Sequence, residues 1–430
     1  METVTPPIER RWALAIVICA IVLGASGVRG NLTHFDRFIP SGGVMMSEDS
    51  FAPIRNHPIF SEALSQLDEL LARDSIAFLF GAGTSYCESM PLMAELTAAV
   101  LADDALDEDT KSVLRAVQDE FDGGKRSNIE DFLSELSDHL AIATRRDLHS
   151  GSPVRLAIGA ADYSAEELQE SLAAIKLSIA HQIEGCKVPN DLHHHRKLIA
   201  AMHRSVRPGR RTNRTFDYLV LNYDTFIEDA LSLEKVIYAD GLEGGPNGWW
   251  SPESTFSREG VSARVLKLHG SIDWAKLAGD PFPRRRSTRN QRPSPEASQV
   301  MIWPASTKYA EAQRDPFAQL IQRARKVLNP PPGDSRLLLI SGYSFGDTHI
   351  NAEVDDALRQ SDGRLTVVAF IGDEEPPESL SGWLQDPTIG PNVLTFGRTG
   401  FWHGLTSEKA ETDLPWWKFE TLARIAEGEQ

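Results

Sequence analysis

The sequence predicts an α/β fold, in which a parallel sheet carries helices on both faces and a large helical block follows the first strand. Three observations support this prediction. Short apolar segments alternate with helical patterns in the second half of the chain. A similar apolar segment stands alone near residue 76, and residues 89–205 have helical periodicity. The length of 430 residues fits one α/β domain with such an insertion.

The first predicted strand is the apolar run 75–80, which ends at Gly81-Ala82-Gly83. A run bounded by glycines in this way is typical of a buried parallel strand. The later strands are predicted at 217–222, 264–269, 299–303, 336–341 and 365–371. The helices between them are predicted at 224–233, 315–329 and 348–360. This alternation is typical of a Rossmann-like sheet.

The helical block follows the first strand and is expected to contain no strand. One helix is predicted before that strand, at 58–73. The block helices are predicted at 92–102, 109–121, 128–144, 164–183 and 191–204. Ser127-x-x-Glu130 and Ser164-x-x-Glu167 have the spacing of capping boxes. We therefore expect an α/β domain over 46–88 and 206–405, a helical insertion over 89–205, and an amphipathic tail over 406–430.

The first 45 residues do not fit this pattern. Residues 12–28 form an apolar run after Arg10 and Arg11, as in a signal peptide or a short membrane anchor. A third interpretation places the true start of translation at Met45 or Met46, because the rest of the sequence is typical of a soluble nucleotide-binding protein. A cytoplasmic location is expected, and membrane attachment follows only if 12–28 is a genuine anchor.

Charge and cysteine content exclude several functions. The net charge of −17 disfavours general nucleic-acid binding. Two arginine-rich loops, 204–214 and 280–293, are interpreted either as solvated loops or as contacts for a partner protein or nucleic acid. Cys19, Cys87 and Cys186 lie too far apart for a CxxC pair, which excludes a zinc ribbon and fits a reducing compartment. No metal site is expected.

Two histidine and cysteine features carry weaker signals. His193, His194 and His195 are consecutive on a predicted helix, where neighbouring side chains point about 100° apart and cannot share one ion. They are expected on a polar surface. Cys87 follows the first glycine turn and is interpreted as a structural thiol.

Two polar motifs follow the first and second predicted strands. The turn Gly81-Ala82-Gly83-Thr84-Ser85 could bring backbone N–H groups to a pyrophosphate, although a plain tight turn is an equal alternative. Asn222 and Asp224 follow the second strand, where the carboxyl ends of parallel strands bind ligands. Asn222 could orient a water or a ribose hydroxyl, and the alternative is that both residues cap the next helix.

Two further motifs follow later strands. His269 precedes Gly270 and Ser271, and a histidine in this position could act as a general base or be purely structural. Gly342-Tyr343-Ser344 could contact a ribose, although an ordinary strand-turn-helix with Asp347 as N-cap explains the same pattern.

The four motifs occur in the order GAGTS, LNYD, LHGS and SGYSFGD. This order resembles the sirtuin-like NAD-binding superfamily, and it is most similar to the bacterial sirtuin-like NAD-hydrolysing proteins of antiphage defence. The resemblance covers about 75–370, and the segments 128–133 and 304–309 also look like that subfamily.

The resemblance assigns roles to individual residues. It implies that Asn222 and His269 are catalytic. Asp224, beside Asn222, is a third catalytic candidate, which could stabilise the developing positive charge or simply fix the loop. It implies that NAD is held by the remaining motif residues, which are Gly81, Ala82, Gly83, Thr84, Ser85, Ser271, Gly342, Tyr343 and Ser344.

The sequence departs from deacylating sirtuins in two ways. It has no CxxC pairs, and Pro91 is followed by Leu92-Met93-Ala94 instead of Asp-Phe-Arg. The resemblance therefore implies metal-independent NAD hydrolysis to nicotinamide and ADP-ribose or a cyclised form. It also implies an effector gated by homo-oligomerisation or by a partner such as a HerA-like ATPase or a short Argonaute. The alternatives are a non-catalytic NAD or ADP-ribose sensing module and an NAD-dependent deacylase.

Overall fold

A computed structural model describes residues 51–73, 75–121, 127–150, 152–186, 191–203, 214–276, 279–286, 299–301 and 314–429. The sequence predictions for 1–45 and for 304–309 lie outside these residues, as do residues 204–213 and 287–293 of the two arginine-rich loops. Within the described residues, no helix has both the length and the apolar character needed to cross a membrane.

The described helices include every predicted helix and several that were not predicted, and the predicted helix 128–144 extends to Ser150. In chain order they are α1 (Ala52–Arg55), α2 (Pro58–Leu71), α3 (Met93–Leu101), α4 (Glu108–Glu120), α5 (Ile129–Ser150), α6 (Ala165–Glu184), α7 (His193–His203), α8 (Phe226–Leu233), α9 (Pro252–Phe256), α10 (Phe317–Leu328), α11 (Thr348–Gln360), α12 (Glu378–Gln385) and α13 (Phe419–Glu427).

The strands include every predicted one and several short additional ones. They are β1 (Ile76–Phe80), β2 (Arg155–Ile158), β3 (Ala161–Ser164), β4 (Phe216–Val220), β5 (Tyr238–Ala239), β6 (Leu242–Glu243), β7 (Trp249–Trp250), β8 (Ala263–Lys267), β9 (Gly270–Lys276), β10 (Pro283–Arg285), β11 (Gln299–Met301), β12 (Arg336–Ser341), β13 (Leu365–Ile371), β14 (Val393–Gly397), β15 (Gly400–His403) and β16 (Thr406–Lys409).

The main sheet has the order β16-β15-β14-β13-β12-β1-β4-β8-β5. Every pair from β5 to β14 is parallel, and only β14–β15 and β15–β16 are antiparallel. The predicted Rossmann-like parallel sheet is therefore confirmed. The antiparallel edge was not predicted, because its strands are short and carry polar residues.

Helices cover both faces of this sheet because side chains alternate along each strand. Phe78 and Tyr218 point to the face covered by α2, α7 and α13. Leu79 and Leu219 point to the opposite face, which α10, α11 and α12 cover. The strands are buried on both faces, which explains why their sequences are continuous apolar runs.

The helical block has its own apolar core, formed mainly by α3, α4, α5 and α6. The expectation that 89–205 contains no strand is wrong, because β2 and β3 form an antiparallel hairpin there. Its strands have one exposed face and are only four residues long, so they produce no apolar run. Helix α7 packs against α8 and α13 of the sheet domain, although it lies within the predicted insertion.

The structure tests two capping boxes and one strand prediction, and it shows how the tail packs. The capping box at Ser164 is confirmed, whereas α5 is capped one residue later than predicted, by Asn128, whose Oδ1 accepts the Glu130 N–H. The predicted strand at 299 exists as β11, but it belongs to a second, antiparallel sheet with the order β11-β9-β10-β7-β6. In the tail, Trp416 is fully buried and packs against the sheet domain.

Candidate functional site

The four sequence motifs follow four neighbouring strands, β12, β1, β4 and β8. Phe80 lies opposite both Ser341 and Val220, and Val220 lies opposite Lys267. The parallel strands therefore end at the same level, with the glycine turns on β12 and β1 beside the segments that carry Asn222 and His269. The carboxyl edge of an open parallel sheet is where ligands bind in this class of fold.

The glycines of the first and last motifs are required by direct contact between the two turns. The Gly83 N–H donates to the Gly342 carbonyl at 2.9 Å, and the Gly81 N–H donates to the Ser341 carbonyl at 3.1 Å. A Cβ on Gly81 would lie 2.5 Å from the Gly342 oxygen. Gly342 has φ +65°, and a Cβ there would lie 2.3 Å from the Thr84 nitrogen. The packing of the two turns therefore requires glycine at Gly81 and Gly342, whether or not a ligand binds there.

Most N–H groups of the first turn already have partners in the chain. Those of Gly81 and Gly83 bond to the β12 turn, and those of Thr84 and Ser85 bond to the carbonyls of Gly81 and Ala82. The assignment of residues 81–85 to the NAD diphosphate therefore rests on the sequence resemblance and stays a prediction.

The side-chain amide of Asn222 is held in one orientation by two hydroxyls. Its Nδ2 lies 3.1 Å from Thr84 Oγ1 and 2.8 Å from Ser85 Oγ. Thr84 uses its hydroxyl hydrogen to bond the Gly81 carbonyl, and Ser85 uses its own to bond Asp224 Oδ2. Both hydroxyls can therefore only accept from Asn222, which identifies the donating end of the amide.

The carbonyl oxygen of Asn222 consequently points away from this network. Asn222 is 7% exposed, and its Oδ1 is buried with no hydrogen-bond partner among the described residues. A buried acceptor left in this state costs about 1–3 kcal/mol. A water or a ligand hydroxyl that donates to Oδ1 would remove that cost.

Asp224 has both carboxylate oxygens engaged within the protein. Oδ2 accepts from Ser85 at 2.8 Å, and Oδ1 accepts the Phe226 N–H at 3.1 Å, at the start of α8. These contacts match the helix-capping alternative and make Asp224 a residue that holds the Asn222 turn in place.

Lys267 is a functional candidate that the sequence reasoning missed. It is 0% exposed at the end of β8, its Nζ donates to the Asp224 carbonyl, and it lies 3.7 Å from Glu228 Oε1. Burial raises the pKa of Glu228 to about 7, although the Lys267 charge opposes that shift. The sequence feature that could have identified Lys267 is its position as a lysine within the otherwise mostly apolar strand segment RVLKLH.

His269 is buried directly after β8, and a second histidine lies beside it. The rings of His269 and His349 are 5.5 Å apart between centroids and inclined by 34°. His349 lies in the first turn of α11 and is half-buried. His349 was assigned no role from the sequence, because its proximity to His269 appears only when β8 and β12 are assembled into one sheet and end at the same edge.

The remaining predicted ligand residues differ in their exposure. Ser271 is fully buried, and its Oγ lies 3.3 Å from the Tyr223 carbonyl. Tyr343 is buried with its hydroxyl 2.9 Å from Asn351 Oδ1, and burial raises its pKa far above the usual value. Both side chains hold turns together, whereas Ser344 is exposed.

One cluster of metal-ligand residue types lies outside this network and comprises Cys87, Glu88 and His195. The expectation that His195 lies on a polar surface is wrong, because its imidazole is buried between Phe226 and Phe419. Helix α7 packs against the sheet domain at this point, which turns His195 inward.

No curated protein matches the chain. Residues 218–391 match the family described as a SIR2-like domain. This segment contains Asn222, Asp224, His269, Ser271 and Gly342–Ser344, whereas Gly81–Ser85 lie before it. SIR2-like domains bind NAD, so the match supports an NAD-related function. The match supports placing this segment, which carries three of the four site motifs, in the sirtuin-like superfamily.

Proposed function

We propose that this protein is an NAD hydrolase that cleaves the bond between nicotinamide and the ribose. The observation that carries the proposal is the buried Asn222 Oδ1, which has no hydrogen-bond partner in the described chain while Nδ2 is fixed by Thr84 and Ser85. Such an acceptor is suited to a ribose hydroxyl or to an attacking water.

The proposed reaction passes through a ribose with oxocarbenium character, as in glycoside hydrolysis. The C1′–N bond breaks, and nicotinamide takes both bonding electrons and leaves as a neutral molecule. The oxygen of a water forms the new bond to C1′, and His269 accepts its proton as general base. The product is ADP-ribose, and attack by a group of the ADP-ribose itself would give a cyclised form.

NAD would lie along the carboxyl edge of β12, β1, β4 and β8. The turns at Gly81–Ser85 and Gly342–Ser344 would hold its diphosphate and adenosine, as the resemblance implies. Asp224 and Lys267 hold the turn that carries Asn222 and would act by positioning it. The chemistry at C1′ needs no metal ion.

The cellular role included in the proposal is NAD depletion in antiphage defence, in the cytoplasm where NAD is available. Unregulated NAD loss would kill the cell, so the activity requires an off-state. We propose that homo-oligomerisation or a separate partner, such as a HerA-like ATPase or a short Argonaute, supplies it. The support for this part is the motif resemblance.

The test is nicotinamide release from NAD by the purified full chain, without any acylated peptide. We expect release by the wild type in its active oligomer or with its partner, and strong loss in Asn222→Ala and in His269→Ala. His139→Ala is the matched control, because His139 is a half-buried histidine on α5 in the helical block. It should keep the wild-type rate.

Two results would contradict the proposal. If both site variants release nicotinamide at the wild-type rate, the assigned residues do not carry the reaction. If the protein binds NAD tightly without releasing nicotinamide in any assembly state, it is a sensing module. Release that requires an acyl-lysine peptide would instead identify a deacylase.

A further inference from the structure

Three side chains of metal-ligand type converge behind the first glycine turn. Cys87 and Glu88 lie in the 3-10 turn Tyr86–Glu88, and His195 lies on α7. One ligand atom from each of the three lies within 4.8 Å of the other two. We call these three residues the Cys87 cluster. A thiol, a carboxylate and an imidazole form a donor set that tetrahedral zinc accepts.

His195 supplies an independent sign of a missing ligand. It is 1% exposed, and neither ring nitrogen has a hydrogen-bond partner within the described residues. Its Nδ1 lies 3.7 Å from Glu88 Oε1, which is longer than a hydrogen bond. Buried imidazole nitrogens normally have a partner, and here the side chain points toward two other potential metal ligands.

The charges around the cluster favour a cation. The Glu88 carboxylate is buried beside the His195 ring and supplies a negative charge at the point where the three side chains meet. A buried carboxylate of this kind would stabilise a bound divalent ion.

We propose that Cys87, Glu88 and His195 bind one zinc ion, with a water as the fourth ligand. Binding would release the thiol proton to solvent and leave a thiolate bonded to zinc. Magnesium and calcium prefer sites made only of oxygen, so the sulfur and nitrogen donors select zinc. Cys87 is only half-buried, which leaves an entry path for the ion.

The proposed ion would fix the segment that orients Asn222. Cys87 Sγ lies 3.4 Å from the Thr84 carbonyl, and the Thr84 hydroxyl accepts from Asn222. A zinc bridge between this segment and α7 would therefore link the site edge of the sheet to a helix packed beneath it. Its role is structural, and it goes beyond the metal-free reaction proposed above.

The test measures zinc in the purified full chain after expression with added zinc and extensive dialysis. We expect about one zinc per chain in the wild type, and little in Cys87→Ser and His195→Asn. Cys186→Ser is the matched control, because Cys186 is also half-buried and donates to a main-chain carbonyl, at 3.1 Å. It should keep its zinc.

Replacement by cobalt gives a second readout that does not depend on activity. A thiolate-to-cobalt absorption band is expected in the wild type and in Cys186→Ser, and it should be absent in Cys87→Ser. Circular dichroism checks that each variant is folded. The proposal is overturned if the wild type holds no zinc after this treatment, or if folded Cys87→Ser retains as much zinc as the wild type.

Discussion

Glu228 and Glu88 are both buried near the first glycine turn, yet their pKa values shift in opposite directions. Burial raises the pKa of Glu228 to about 7, and Lys267 at 3.7 Å only partly opposes the shift. Burial also acts to raise the pKa of Glu88, but the nearby His195 ring and the His194 N–H outweigh it and lower the pKa. The two charged partners lie at the same distance, but Glu88 also accepts the His194 N–H at 3.2 Å, whereas Glu228 Oε2 is buried with no hydrogen-bond partner among the described residues.

The polar groups around these two glutamates also differ in which buried atoms lack a hydrogen-bond partner. On the Asn222 side, Thr84, Ser85, Asn222 and Asp224 have assigned donors and acceptors, and one buried oxygen remains for a ligand. We call these four residues the Asn222 cluster. In the Cys87 cluster, the atoms without a hydrogen-bond partner among the described residues are the two ring nitrogens of His195. The first arrangement suits a hydroxyl group, and the second suits a cation.

The largest effect is expected from Lys267→Met, which removes the cation beneath the Asn222 cluster. It leaves Glu228 buried without a counter-charge and removes the donor to the Asp224 carbonyl. Urea unfolding should show a loss of about 3–5 kcal/mol. Adding Glu228→Gln to the same chain should recover part of it. An equal loss in the single and double variants would show that the ion pair is not responsible.

The second effect concerns pH and Glu228. Its folded pKa of about 7 lies above the usual 4.5, so the stability it contributes is fully present below 4.5 and is lost as the pH rises through 7. Relative to Glu228→Gln, the wild type should lose at most about 3 kcal/mol over this interval. Unfolding of both proteins at several pH values tests this, and parallel stability curves would contradict it.

The third effect separates the site role of a buried serine from its structural role. Ser85→Ala removes the hydroxyl that accepts from Asn222 and donates to Asp224. The free energy of unfolding should fall by about 1–3 kcal/mol. Ser178→Ala is the matched control, because Ser178 is a buried serine whose Oγ donates to Asp103. Both variants should be destabilised, whereas only Ser85→Ala should reduce nicotinamide release. Equal release rates would argue against preorganisation of Asn222 by Ser85.

The smallest effect should come from Glu88→Gln in metal-free protein. The folded pKa of Glu88 is lowered, so the stability it contributes is present above 4.5 and is lost as the pH falls through the folded pKa. The wild type should therefore lose stability relative to Glu88→Gln on acidification, which is opposite to the trend for Glu228. Thermal unfolding at several pH values in the presence of a chelator measures this loss of stability. The same pH trend for both glutamates would contradict the opposite pKa shifts.

The sequence was sufficient for the central strands of the sheet and for the placement of the four motifs at their ends. The runs before Gly81, Asn222, His269 and Gly342 are apolar because their strands are buried on both faces, and this pattern is visible without coordinates. The hairpin β2–β3 and the edge strand β16 were missed, because four-residue strands with exposed positions leave a pattern that loops share. The strands β14 and β15 are largely buried and apolar and were also missed.

The site was predicted less completely, because side-chain neighbours depend on tertiary packing. Neighbouring strands in register bring Asn222 to Thr84 and Ser85, although more than one hundred residues separate them in sequence. Lys267, His349 and His195 acquire their surroundings only when the strands and α7 are assembled. The contact between two turns requires glycine at Gly81 and Gly342, and the role of these turns in binding NAD stays a prediction.

The contact between Gly342 and the first glycine turn also has a consequence for protein synthesis. The site edge needs β1, β4, β8 and β12, which are spread from residue 76 to residue 341. Contacts of such sequence separation form late and slowly in folding. A nascent chain therefore cannot assemble the site until β12 and Gly342 have left the ribosome, so a toxic activity would stay silent throughout most of translation.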